Sequence, residues 1–361
     1  MASLIFADSF QFYDVVHQAD QLYNTAELRY ANGNDVISGS SLLPGSVYGS
    51  AKTVWGSQTD EITLGIRYQT PRLDEGPIVI GNDASGFYFQ LVGVGDGRFT
   101  FVTSLAGSPA QGLITGKAIK ARTWYYFELH LQVTRQYQPY VPATLTTPAI
   151  PEAYWNTCFY DFWVNGEAWV SFATVDSPRR RTVGDGTVGT NPWIEQMALA
   201  FAAVDSRPGI MTDLYITGGG RDPLGDVAVV PLYPDGDGDS DWTPHAGSTH
   251  YTMVNSAPPD GTTYNTADSA GQEDSYSLQD IPAFNGTIKG TVAVWWMTLS
   301  DPGAGAAFGF YNTDDKATGL FYPSYGSWQY FIDPERYFPD SSDEWTQSQI
   351  NNLTLGIARF S

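Results

Sequence analysis

The chain has 361 residues, 42% of them hydrophobic, which is enough to bury the cores of two or three domains and excludes a disordered tail. Its formal net charge is −21, from 39 acidic and 18 basic residues. A field of that sign repels phosphate backbones, so nucleic acid is excluded as a general partner.

Aromatic residues make up 14% of the chain, with 37 Gly and 22 Pro. Flat side chains suit pleated surfaces, and Gly and Pro supply frequent reversals, so an all-β protein of many short strands is expected. The single cysteine, Cys158, cannot form an internal disulfide, and it reads as a small buried residue among aromatics rather than as a catalytic thiol. The N-terminus has only a short apolar stretch with no basic residue before it, which does not read as a signal peptide. The longest apolar candidate, Val292 to Leu299, is strand-sized and far short of the roughly 18 residues of a membrane span, so no membrane partner is expected.

In chain order, Val15 to Leu22 reads as one or two helical turns. Glu61 to Tyr68 alternates apolar and polar residues with a two-residue period, the mark of a strand. Gly86 to Val92 and Arg98 to Val102 flank Gly95-Asp96-Gly97, a hairpin signal because such turns need positive φ. Thr123 to Val133 is a long aromatic strand. Tyr160 to Phe172 is a second hairpin, turning at Asn165-Gly166. Between them, 136–156 carries Pro139, Pro142, Pro148 and Pro151, which cannot donate to a ladder, so it reads as a long interaction loop. Arg179, Arg180 and Arg181 form the only compact basic patch, in an expected exposed loop over 176–192. Gln196 to Val204 and Ile210 to Ile216 are further strands.

At 218–226 the composition shifts to Gly, Asp and Pro, and the division between two domains, 1–221 and 222–361, is placed there. Beyond it, strands are expected at 290–297, 307–311, 319–322 and 328–332. The segment 346–358 reads as a short helix feeding a last strand.

Several constellations invite a chemical reading. Asp235, Asp237, Asp239 and Asp241 alternate with Gly and Ser, oxygen ligands of a kind that suits calcium, although position 246 is Ala where an EF-hand would close with Glu. The alternative is a solvated acidic turn. His245 and His250 flank a turn beside this run and read as surface histidines. Glycoside hydrolysis needs two carboxylates about 5–10 Å apart, and no strand offers the pair: Glu128 stands alone and Glu273-Asp274 reads as a polar loop. No nucleophile elbow is present, and no enzymatic activity is expected.

The run from Leu232 through Trp242-Thr243-Pro244, Gly247 and Tyr251 to Asp260 and Tyr264 resembles a block of tailed-bacteriophage virion proteins. So does the ending with Asp333-Pro334, Trp345-Thr346 and Gly356-Ile357. The first half, through Asp8-Ser9-Phe10, Trp124 to Glu128, Trp163 to Gly166 and Thr212 to Ile216, resembles a concanavalin A-like, laminin-G-like jelly roll of phage structural proteins, with Thr212 departing from an acidic pair. The resemblance implies two β-sandwich domains, an N-terminal jelly roll and a smaller C-terminal sandwich. It also implies a non-enzymatic virion structural protein of the tail, baseplate or fibre, made in the host cytoplasm. Partners would be other virion proteins and copies of itself, with a host surface glycan or a place in capsid decoration as alternatives. Tyr137, Tyr140, Tyr154, Trp155, Arg179, Arg180, Arg181 and Trp242 are the expected interface or glycan contacts, and calcium is the one cofactor considered.

Overall fold

The computed structural model describes residues 3–8, 23–26, 29–30, 47–48, 50–69, 73, 75–82, 87–105, 108–144, 146–151, 153–176, 194–200, 210–221, 223–247, 249–256, 259, 261–302, 305–311, 316–335 and 344–360. The expected helical turns at Val15 to Leu22, the arginines 179–181 and residues 201–204 of an expected strand lie outside them. The chain divides into two compact units, Met1–Ile5 with Tyr23–Val227, and Phe6–Leu22 with Ala228–Ser361. Both are built almost wholly of antiparallel strands, so the all-β expectation holds.

The first unit is a sandwich. One sheet runs in the order Glu167–Asp176, Ala153–Val164, Tyr125–Gln138, Glu61–Gln69, Ile210–Gly218, Val47–Tyr48, Arg29–Tyr30. The other runs Ser108–Ile114, Phe99–Leu105, Phe87–Val94, Glu75–Asn82, Ile194–Ala200, Ser50–Thr59, Tyr23–Ala26. Alternation decides which side chains meet between them. From the first sheet come Ile62, Leu64 and Ile66, Phe127, Leu129, Leu131 and Val133, all buried. Across the gap, Phe99 meets Phe127 at 5.3 Å and Phe162 at 5.5 Å, and Phe101 stacks on Tyr160 at 4.5 Å. Cys158 is fully buried in this layer, and desolvation pushes its thiol up to about 12, so it stays an unreactive apolar group. Both hairpin turns have their expected geometry: Gly95 and Gly97 at φ 86° and 84°, and Asn165-Gly166 at 51° and 74°.

The second unit has a sheet in the order Pro234–Ser240, Glu273–Leu278, Thr354–Arg359, Ala307–Tyr311, Lys316–Phe321, together with a two-stranded ribbon of Thr291–Met297 and Gln329–Glu335. Its core joins Ala293 and Trp295 from the ribbon to Ala307, Tyr311, Phe321 and Ile357 of the sheet, closed by Trp345, Ile350 and Leu353. The helix Gln347–Asn351 starts at Thr346, whose hydroxyl accepts from the Gln349 N–H while the Gln349 side chain reaches back to Thr346, a complete capping box.

Three expectations change. The Pro-rich segment 136–156 is strand only at its two ends, where Tyr125–Gln138 and Ala153–Val164 pair through Gln138 and Ala153; the described residues between, 139–144 and 146–151, form the expected loop apart from one Val141–Ile150 bridge. The acidic run 235–240 is an irregular strand rather than a turn, paired with Glu273–Leu278. Glu273-Asp274 belongs to that partner strand and not to a loop.

Candidate functional site

Three features of the described residues combine buried polar clusters or exposed aromatic and apolar side chains. The first is the outer face of the unit-one sheet that contains Tyr125–Gln138. Alternation turns Glu128, His130 and Asp161 away from the sandwich core, yet Glu128 is 0% exposed and Asp161 2%. The cover is a strap laid across the sheet by residues 219–221 and 223–227. Arg221 binds Asp161 with both prongs of its guanidinium, at 2.7 and 2.6 Å, and its Cζ lies 3.2 Å from the Phe172 ring centroid. The Leu224 N–H donates to the Tyr215 hydroxyl at 3.0 Å, and the Gly225 N–H donates to Glu128 Oε1 at 2.8 Å. Arg67 donates to the Val227 carbonyl and pairs with Asp226 and Asp213. Asp213 can serve this role because it sits at φ 53° in a bulge of its strand. The expected division after residue 221 falls inside this strap.

Beneath the strap, His130 is held by Asp161 on Nδ1 (3.1 Å) and Glu61 on Nε2 (3.0 Å). Asp161 also accepts the Phe172 N–H at 2.8 Å, in a bulge where Phe172 has φ 50°. Burial pushes the Asp161 carboxyl up, but the Arg221 and Phe172 hydrogen bonds with the neighbouring charges outweigh it and hold it below the ordinary range. Burial dominates at Glu128 and raises it, despite hydrogen bonds from Tyr215 and Gly225. Glu128 Oε2 is buried with no hydrogen-bond partner among the described residues. Glu128 stands alone in the sequence; the sheet register places it diagonal to Asp161, through the pairs Glu128–Trp163 and His130–Asp161.

The second feature is in unit two. Asp274 is 0% exposed and accepts from four groups: His250 Nδ1 (3.0 Å), the Trp242 N–H (3.1 Å), the Asn265 amide (3.1 Å) and the Tyr276 hydroxyl (2.8 Å). His250 is therefore a buried structural histidine and not the surface residue the sequence suggested. Trp242, an expected contact residue, packs against the core and donates its indole N–H to the Gln272 carbonyl at 3.1 Å. Beside this hub runs an aromatic row. His245 stacks on Tyr264 at 4.2 Å, Tyr264 meets Trp328 edge-on at 5.6 Å, and Trp328 stacks on Trp296 at 4.4 Å. Gly261, at φ 68°, lies against both indoles, where an added Cβ would fall 3.3 Å from Trp296 and 3.4 Å from Trp328.

The four aspartates proposed for calcium are strung along their strand and individually engaged. Asp235 accepts from the Ser277 hydroxyl, Asp237 from the N–H groups of His250 and Tyr251, Asp239 from the Ser275 hydroxyl, and Asp241 from the Glu273 N–H. Among the described residues no three His, Cys, Asp or Glu side chains converge as a metal site.

The third feature is the hairpin of the expected interaction loop. Glu61–Gln69 flanks Tyr125–Gln138 only as far as Gln132, and Glu167–Asp176 flanks Ala153–Val164 only from Thr157 onward. Beyond those points the described pairing is of two strands alone, so the hairpin continues as a ribbon past the sheet. Tyr137 and Tyr140 are exposed on it, with Trp155 half-buried and Tyr154 placed in the register opposite Tyr137. Val141 and Ile150, 43% and 45% exposed, exchange two backbone hydrogen bonds of 2.9 Å near its end.

No known protein family matches the sequence, and no curated protein does. Solved structures that resemble it are laminin-G-like and carbohydrate-binding β domains. Mouse laminin α1 chain domains LG4-5 align with 90% of this chain and 76% of their own, at 11% identity and a TM-score of 0.30. Domain 4 of AbnA, a GH43 extracellular arabinanase from Geobacillus stearothermophilus, aligns with 60% of this chain and 93% of its own, at 15% identity and 0.34. The CBM2 module of the evolved Dit of Lactobacillus casei BL23 phage J-1 aligns with 62% of this chain and 98% of its own, at 10% identity and 0.30. At TM-scores this low the likeness says nothing of ligand or partner.

Proposed function

We propose that this chain is a non-enzymatic structural protein of a tailed-phage virion, sited in the tail, that works by docking to other proteins of the particle. The observation that carries the reading is the ribbon over 134–156. A two-stranded hairpin is marginal in water by itself, and one that carries exposed Tyr137, Tyr140, Val141 and Ile150 gains most by being covered. The resemblance of the segments from Leu232 to Tyr264 and from Asp333 to Ile357 to virion proteins supplies the setting. The non-enzymatic reading is supported by the state of the two carboxylates on the sheet face: Glu128 and Asp161 are both covered by the strap, and Asp161 is committed to Arg221.

Cryo-electron microscopy of intact particles tests this reading. Density for the chain in a ring or at the tip of the tail is expected. Density on the head lattice would make it a capsid decoration protein, and absence from particles would remove the virion assignment.

The aromatic row of unit two favours a second reading, binding of a host surface glycan. Tyr264, Trp296 and Trp328 are partly exposed, and aromatic faces of this kind stack on sugar rings. Measurable affinity for host polysaccharide that Trp328→Ala abolishes would support it, and equal affinity in the variant would remove the row from consideration.

A further inference from the structure

Two Asn-Gly pairs lie among the described residues, Asn165-Gly166 and Asn285-Gly286; a third, Asn32-Gly33, lies outside them. Gly has no Cβ, so nothing on that residue screens its backbone nitrogen from the side chain of the preceding Asn. The nitrogen can close on the amide carbon Cγ to form a five-membered imide. How readily it does so depends on what the fold has already done with the amide and with the N–H.

The two pairs are used differently. Asn165 is built into its hairpin. Its N–H donates to the Tyr126 carbonyl at 2.8 Å, and its Oδ1 accepts the Tyr126 N–H at 2.7 Å. Asn165 and Gly166 are both held at positive φ in the turn. To reach the Gly166 nitrogen, the Asn165 amide must leave the part-buried Tyr126 N–H without an acceptor, and an unsatisfied donor of that kind is costly.

Asn285 is placed otherwise. Neither it nor Gly286 makes a hydrogen bond among the described residues, and both are exposed in a bend. The bend belongs to an exposed arc, 282–287, that is anchored at both ends. On one side Ile281 packs against the unit-two core, gives its N–H to Asn351 Oδ1 at 3.1 Å and accepts the Gln347 amide on its carbonyl at 3.4 Å. On the other side Ile288 packs against the same core and bridges Trp345. Chemistry in the arc therefore leaves these anchors in place.

We propose that Asn285 is a site of self-catalysed deamidation, converting to aspartate and isoaspartate as the chain ages. The Gly286 nitrogen gives its proton to water or hydroxide and bonds to Asn285 Cγ. The Cγ–Nδ2 bond breaks, and the amide nitrogen takes up a proton and leaves as ammonia. Water then opens the imide at one of its two carbonyls. Cleavage of the new bond at Cγ gives aspartate, and cleavage at the Asn285 backbone carbonyl gives isoaspartate, with an extra methylene in the main chain. The sequence consumes one water, releases one ammonia and needs no oxidant or reductant. Each event puts a carboxylate in place of a neutral amide, in a chain whose formal net charge is already −21.

Incubation of the full chain at mildly alkaline pH in heavy-oxygen water tests this, read by peptide mass spectrometry with fragmentation that separates aspartate from isoaspartate. Position 285 is expected to gain a heavy oxygen and to appear as both products, at a rate roughly tenfold or more above that at Asn165. Gly286→Ala places a methyl beside the attacking nitrogen and should slow the reaction roughly tenfold. The fold accepts that methyl, since its carbon would meet the Phe284 ring at an ordinary 3.4 Å and Gly286 is not in the left-handed region. Asn285→Gln keeps an amide but would need a six-membered ring, and should stay unlabelled over the same time. Equal rates at positions 165 and 285, aspartate at 285 without isoaspartate, or a rate that Gly286→Ala leaves unchanged would each overturn the proposal.

Discussion

The two units each bury one aspartate completely enough to need explaining, and they satisfy it in different ways. Asp161 in unit one is met by a cation: Arg221 comes from the strap and grips both oxygens, with His130 on the other side. Asp274 in unit two is met by a ring nitrogen of His250 and by three neutral donors, from Trp242, Asn265 and Tyr276. The first arrangement ties a distant segment onto a finished sheet. The second gathers the loops around the Trp242-Thr243-Pro244 segment onto one strand. A buried pair held by a full counter-charge loses most when the cation leaves, while a carboxylate held by several dipoles loses most when the acceptor itself is removed.

The largest expected effect is therefore Asp274→Ala. It leaves four donors without their acceptor in a buried site, and a loss of about 4 kcal/mol is expected in chemical denaturation. A loss under about 1 kcal/mol would show that water replaces the carboxylate freely and that the hub is not closed.

Arg221→Ala should cost about 3 kcal/mol, because Asp161 keeps only His130 and the Phe172 N–H. Arg221→Lys keeps the charge but loses the two-pronged geometry and the stacking on Phe172, so it should recover less than half of that loss. The strap should also become a site of early proteolysis in Arg221→Ala; unchanged cleavage would show that Arg67 and the Leu224 and Gly225 hydrogen bonds hold it without Arg221.

Unit one also carries a contrast within itself, readable as pH dependence. The Asp161 carboxyl is held below its ordinary range, so its contribution is present above the unfolded value near 3.9 and is lost as pH falls through the folded one. The Glu128 carboxyl is raised, so its contribution is full below the unfolded value near 4.3 and is lost as pH rises through the folded one. Glu128→Gln keeps an acceptor for Tyr215 and Gly225 while removing the charge. It should raise the thermal midpoint at pH 8 relative to wild type and lose that advantage by pH 4. An advantage that does not change with pH would mean that Glu128 is not the titrating group.

Much of the architecture was legible from local pattern. Alternation at Glu61 to Tyr68, positive-φ residues at Gly95 and at Asn165-Gly166, and the Thr346–Gln349 box each encode their structure within a few residues. The polar centres were not legible, because they are made by distant partners. Glu273-Asp274 reads as a polar loop on its own residues, and Asp274 becomes tolerable in a core only once His250, Trp242 and Asn265 arrive from elsewhere in the chain. The strap reads as a domain boundary because its composition shifts to Gly, Asp and Pro, and its grip lies in Arg221 and in backbone groups that leave no mark in composition. The prolines of 136–156 mark a loop, and the structure keeps one over the described residues 139–144 and 146–151, with strand pairing reaching only to Gln138 and Ala153.

The smallest expected effect concerns calcium and sharpens the same contrast between gathered and dispersed carboxylates. Asp235, Asp237, Asp239 and Asp241 lie in series, and hydrogen bonds from Ser277, from the His250 and Tyr251 N–H groups, from Ser275 and from the Glu273 N–H occupy them singly. A calcium ion asks for six to eight oxygens around one point, and a row of engaged carboxylates supplies one or two at a time, which belongs with millimolar affinity. At a concentration equal to such a dissociation constant, binding adds about 0.4 kcal/mol, a shift of a degree or two at most in the thermal midpoint. Chelation should then move the melting curve by no more than that. A shift of many degrees would mean that the ion draws the row together and breaks the hydrogen bonds that now hold it apart. Asp237→Asn, which removes charge at the residue capping the turn at Tyr251–Met253, would then abolish the shift.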